Sequence, residues 1–143
     1  MNANVELLNF IYQNAEMGVA TIDQLLGIVK DEKFKEQLNS QYQEYKLIHD
    51  EARKLLLANG HEEKELSLFE RLRTYMMINM QTLTDKSTSH IAEMMMIGSN
   101  MGVIQAVKNI HKYKGGVESD ILLLMERLLQ FEEANLRELR EYL

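Results

Sequence analysis

The sequence predicts an all-α protein built as a bundle of four long helices, and three observations carry that prediction. Proline is absent from all 143 residues, which removes the commonest helix breaker. Apolar residues recur at intervals of three and four along four separate stretches, the spacing of a single helix face. Glycine occurs only seven times, and Gly60, Gly115 and Gly116 fall where that rhythm stops. A chain of this length makes one domain, residues 1–143, with enough side chains to bury a core.

The first stretch covers about residues 4–30, with Leu8, Ile11, Ala15, Gly18, Ile22, Leu25 and Val29 on one seam. The second covers about 32–59, with Phe34, Leu38, Tyr45, Ile48, Ala52 and Leu55 inward and Gly60 as the residue just past its end. The link near Asp31 is so short that the two must form an antiparallel hairpin. Ser67-Leu68-Phe69-Glu70 has the form of a capping box, and Phe69, Leu72, Met76, Met80 and Leu83 follow it as a shorter amphipathic helix. Residues 82–89 are mostly Thr, Ser and Asp, which cap helices better than they continue them. A break is expected there, although the apolar rhythm also admits one helix from Ser67 to about Tyr113. The third long stretch covers about 87–114 and is ended by Gly115-Gly116. The fourth covers about 117–142, with Leu122, Met125, Leu129, Leu136, Leu139 and Leu143 inward.

The four long stretches have about 25 to 28 residues each, or roughly 40 Å at 1.5 Å per residue. A hairpin, a long connection and a second hairpin make a ferritin-like arrangement, in which the middle two helices run parallel. Residues 61–86 are long enough to carry the crossover along the bundle. The rival topology is an up-down bundle whose extended third helix pairs across a dimer.

Composition narrows the function. The net charge is −6 and positive residues are interleaved with acids, as in Glu44 with Lys46 or Glu126 with Arg127, so no basic face is offered to nucleic acid. No cysteine is present, which excludes disulfides, a cysteine nucleophile and thiolate metal sites, and suits an intracellular compartment. The start of the chain has no basic region followed by an apolar run, and no signal peptide is expected. The most apolar stretch, Met94 to Val107, is interrupted by Ser99, Asn100 and Gln105 and is shorter than the ~20 residues of a membrane helix. No nucleotide-binding glycine loop or nucleophile elbow occurs. His61 and His111 lie near segment ends and read as surface residues.

A bundle core could still hold a metal. Di-iron bundles use a glutamate on each of two helices and Glu-x-x-His on the other two, because residues three apart share one face. Carboxylate with imidazole suits iron or manganese. Here the sharpest anomaly is Glu132, an acid on a seam of apolar neighbours that needs a partner such as an arginine, a tyrosine or a metal. Three residues on stands Asn135, where the motif requires histidine. The first helix offers Glu16. The second offers His49, but Lys46 precedes it by three and Tyr45 occupies the place of a ligating glutamate. The third offers Glu93, three after His90, on a stripe continuing through Ile97, Asn100, Ile104 and Val107 that would turn Glu93 and Asn100 inward. The metal reading therefore rests on Glu16, His49, Glu93 and Glu132. The plainer reading has Glu132 held by side chains, seven methionines between Met76 and Met101 filling core, and Gly98-x-x-x-Gly102 letting two helices approach closely. A small-molecule pocket near Tyr12, Tyr45 and Asn100 is a third reading.

The stretch from Thr82 to Met94, with Ser87-Thr88-Ser89-His90-Ile91-Ala92-Glu93 at its centre, followed by Gly98-Ser99-Asn100-Met101-Gly102, resembles a group of small uncharacterised proteins of Gram-positive, often spore-forming, bacteria. These look like ferritin-like bundles, and the resemblance covers nearly the whole chain. It implies the same fold and a cytoplasmic or spore-associated setting, and it carries no reaction. Against the ferritin pattern the chain keeps neither Glu-x-x-His motif intact. The reading adopted is a ferritin-like bundle without a di-iron motif and without a cofactor, acting as a binding or structural protein. A homodimer is expected, with no nucleic-acid or membrane partner. The alternative is a protein that binds iron or manganese.

Overall fold

The computed structural model describes residues 2–60, 76, 77, 79–81 and 83–143. Its long elements are α1 (Ala3–Leu26), α2 (Glu32–Ala58), α3 (Thr88–Tyr113) and α4 (Ser119–Leu139), followed by a 3₁₀ turn at Arg140–Tyr142. Local chemistry sets the starts of α1, α2 and α3. Asn2 accepts from the Val5 amide at 2.8 Å, Asp31 from the Phe34 amide at 2.8 Å, and Ser87 from the His90 amide at 3.2 Å. Gly60 ends the second helix with φ +75°, a conformation that favours glycine.

Residues 83–87 are not helical and Ser87 caps α3, which corrects the option of one helix from Ser67 to Tyr113. Residues 76, 77 and 79–81 are helical, as the shorter crossover helix requires. The Ser67–Glu70 capping box and His61 lie outside the described residues.

Hydrogen bonds fix the directions of the helices. Near the start of α1, Asn4 accepts from the Glu118 amide at 2.9 Å and Glu6 accepts from the Tyr113 hydroxyl. The beginnings of α1 and α4 and the end of α3 therefore meet at one end of the bundle. Between α2 and α4, Gln37 bonds Glu138, Tyr45 bonds Glu132 and Arg127 bonds Glu44 at 2.8 Å. From Gln37–Glu138 to Tyr45–Glu132 the numbers rise on α2 and fall on α4, so the two helices are antiparallel. It follows that α1 and α4 point one way and α2 and α3 the other. The end of α2 and the start of α3 therefore lie at opposite ends of the bundle.

The core is mainly aliphatic and aromatic, with Leu7, Leu8, Phe10, Ile11, Phe34, Leu38, Ile48, Ile91, Met94 and Leu128 fully enclosed. In α1 every residue from Leu7 to Ala15 is buried, not only the seam. The inward stripe of α4 is Ile121, Leu124, Met125, Leu128, Glu132, Asn135 and Leu139. Leu122, Leu129 and Leu136, expected inside, are only half-buried, and Leu143 is 60% exposed. On α2, Leu56 is buried and Leu55 lies at the edge. Among the described residues no helix is long and apolar enough to cross a membrane.

α3 reverses the expected stripe. Its buried face is Ile91, Ala92, Met94, Met95, Gly98, Ser99, Gly102, Ala106 and Asn109. Glu93 and Asn100 are exposed, as are Ile97 and Ile104. The small residues face inward because they let the helix come close to its neighbours, while a branched isoleucine there would hold it away.

Candidate functional site

The site gathers around Glu132, which is 1% exposed in the middle of α4. Tyr45 of α2 donates its hydroxyl to Glu132 Oε1. Asn135, one turn beyond Glu132, donates from Nδ2 to the Tyr45 hydroxyl oxygen at 3.5 Å. Two features hold the Tyr45 ring. Phe131 meets it edge-on at 4.7 Å, and Gly18 of α1 leaves the space the ring fills. A Cβ on Gly18 would sit 2.6 Å from three ring atoms. From α3, Gly102 lies against Asn14 and Glu132 Oε2, with room for a Cβ at 3.5 and 3.8 Å from them.

Burial raises the Glu132 carboxyl from its ordinary value of 4.5 to about 7, opposed by Tyr45 and by the nearby Ser99 hydroxyl. Tyr45 is pushed well above the ordinary phenol range, first by burial and then by the charge of Glu132. The tyrosine therefore stays a neutral donor while the carboxyl gains or loses a proton near neutrality. This is a proton-holding pair in the middle of the core, with the Ser99 hydroxyl close to both groups.

A small cleft opens beside Glu132, lined by Asn14, Gly18, Tyr45, Met95, Ser99 and Glu132 among others. Its volume of about 40 Å³ is space for a few waters at roughly 10–15 Å³ each. Asn14 is 4% exposed and its Nδ2 has no hydrogen-bond partner. One turn before Tyr45, Gln41 is 2% exposed and neither end of its amide is paired. Such groups cost free energy when left unmet, so the core here is polar at the expense of stability.

The four candidate metal ligands are not brought together. Glu16 and Glu93 are exposed on α1 and α3. His49 stacks on Tyr12 at 4.4 Å and places Nδ1 3.1 Å from Asp50. Among the described residues no three His, Asp or Glu side chains converge on one point. Iron or manganese needs several oxygen and nitrogen donors. Glu132 alone, already bonded to a tyrosine, does not fit that requirement.

Of the residues expected to line a pocket, Tyr12, Tyr45 and Asn100, Tyr45 lines this cleft, whereas Asn100 faces outward and Tyr12 is not part of its lining. Sequence reasoning missed Asn14 and Ser99. Asn14 adjoins the seam residue Ala15, and Ser99 interrupts the most apolar stretch of the chain. A polar residue in such a place was the available signal. Comparison of the chain with protein-family models, with curated proteins and with solved structures gave no match.

Proposed function

We propose that this protein is a ferritin-like bundle without a di-iron centre, acting as a binding or structural protein and working as a homodimer. The helix directions support the ferritin-like reading, because α2 and α3 run parallel, with the end of one and the start of the other at opposite ends of the bundle. The observation that carries the loss of the centre is the Tyr45 hydroxyl on Glu132. A phenol with a strongly raised pKa fills the side of the carboxyl where a ligating glutamate would stand. The resemblance of the stretch from Thr82 to Gly102 supports a cytoplasmic or spore-associated setting.

The cleft beside Asn14 supports binding over a purely structural role. A guest of a few non-hydrogen atoms that donates to Glu132 and pairs with the Asn14 amide meets the chemistry present. The rival is the iron or manganese protein. Elemental analysis of chain expressed with both metals supplied separates the two. Less than a tenth of a metal per chain is expected. One metal per chain, lost in Glu132→Ala, overturns the proposal.

A further inference from the structure

The outer face of α3 is set apart by a long run without charge. Its exposed residues Ser89, Glu93, Ile97, Asn100, Ile104, Lys108 and His111 follow one another at intervals of four, four, three, four, four and three. They make a single narrow stripe along the helix. Half-buried Met96, Met101, Val103 and Val107 flank it. No charged residue occurs between Glu93 and Lys108. The exposed face of α2 carries Lys33, Glu36, Lys46, Asp50, Arg53 and Lys54, and that of α4 carries Arg127, Glu133, Arg137 and Glu138. Exposed leucines also occur there, Leu47 and Leu57 on α2 and Leu123 on α4, but each has charged residues three or four positions away. The α3 face has the pattern of an interface centre, apolar and without charge in the middle and charged at its ends.

The pattern is also self-complementary. We propose that two copies of this chain pack α3 against α3 in antiparallel fashion, about a twofold axis between Asn100 and Met101. Such an axis sets Ile97 opposite Ile104 of the partner subunit, and Ile104 opposite Ile97 of the partner subunit. Glu93 then faces Lys108 of the partner subunit, and the symmetry repeats that pair at the other end. A parallel pairing would set Glu93 beside Glu93 and Lys108 beside Lys108, so charge selects the antiparallel arrangement. The glycines of α3 are turned into the bundle, so contact is made by side chains at ordinary helix-packing distance. From Glu93 to Lys108 the face is about 23 Å long at 1.5 Å per residue. An area one helix wide is at the small end for stable complexes, and a dissociation constant in the micromolar range is expected.

This rests on the homodimer reading above and adds its surface and register. Both charged positions are exposed, so they can be exchanged without disturbing the core. Sedimentation equilibrium at low salt should show a dimer. Glu93→Lys alone and Lys108→Glu alone should each weaken it about tenfold or more, since each places like charges together twice. The double variant Glu93→Lys/Lys108→Glu should return to within threefold of the natural chain. Asn100→Cys, in a chain with no cysteine of its own, should form a covalent dimer on mild oxidation, while Glu93→Cys alone should not. A dimer indifferent to both single reversals, or a double variant as weak as the singles, overturns this surface and leaves the homodimer standing. A chain that stays monomeric at 100-fold above the expected micromolar range overturns both.

Discussion

Helices α1 and α3 are of similar length, 24 and 26 residues, and both are rich in apolar side chains, but they are buried in different ways. From Leu7 to Ala15, α1 is enclosed on every side, polar residues included. α3 turns Gly98, Ser99, Gly102 and Ala106 toward the core and leaves Ile97 and Ile104 at 43% and 47% exposure. Hydrophobicity alone does not choose the inward face. Where Gly102 of α3 lies against Asn14 and Glu132, the small residues Gly98, Ser99, Gly102 and Ala106 take the inner face and Ile97 and Ile104 the outer one.

The largest test of that contrast is truncation on each helix. Phe10→Ala should cost about 3–5 kcal/mol in urea unfolding, because a wholly enclosed ring leaves a cavity. Ile104→Ala, measured in dilute solution where chains are separate, should cost less than about 1 kcal/mol. Equal losses would erase the distinction between the two helices.

The next effect belongs to the polar layer where these helices meet. Glu132 holds its proton up to about pH 7 in the folded chain, against 4.5 when unfolded. Between those values the unfolded chain releases a proton that the folded chain keeps, so stability falls as pH rises. The contribution is full below about pH 4.5 and gone above about pH 7, a loss of roughly 3 kcal/mol at 1.36 kcal/mol per pH unit. Glu132→Gln should remove that loss, so the variant gains on the natural chain steadily across this window. A constant difference between the two from pH 4.5 to 8 would show that Glu132 does not carry the proton.

Two glycines give the smallest and most local comparison. Gly18→Ala drives a methyl into the Tyr45 ring and should cost about 1–3 kcal/mol. Gly102→Ala meets Asn14 and Glu132 at ordinary contact distances. It should be neutral or stabilise by up to about 1 kcal/mol, since alanine favours the helix. Thermal unfolding of both variants distinguishes tight packing at α1 from spare room at α3.

Much of the fold is legible in the residues. The absence of proline, the three-and-four rhythm of α1 and the cap at Ser87 are local signals, and the helices follow them. Glu132 also stood out, because an acid on an apolar seam must have a partner. Its partner, Tyr45, lies 87 residues away, and no local pattern connects them. The stripe chosen for α3 failed for a physical reason. Periodicity identifies both faces of that helix equally well, and only the neighbours decide which is pressed inward. Leu143 failed similarly, as a residue in step with the seam but beyond the end of the last α-helix.

The long connection between α2 and α3 has a consequence for how the molecule assembles. Each hairpin closes over a short turn, whereas the hairpins meet through pairs such as Tyr45 with Glu132 and Glu118 with Asn4, 87 and 114 residues apart. Local closure is fast and distant closure is slow. A hairpin of α3 and α4 that forms first leaves Glu132 in water and ionised at neutral pH. The carboxyl then enters the core only when the other hairpin arrives with Tyr45. Below about pH 7, joining the two halves therefore also takes up a proton, and the acidity of the surroundings enters the docking of the hairpins.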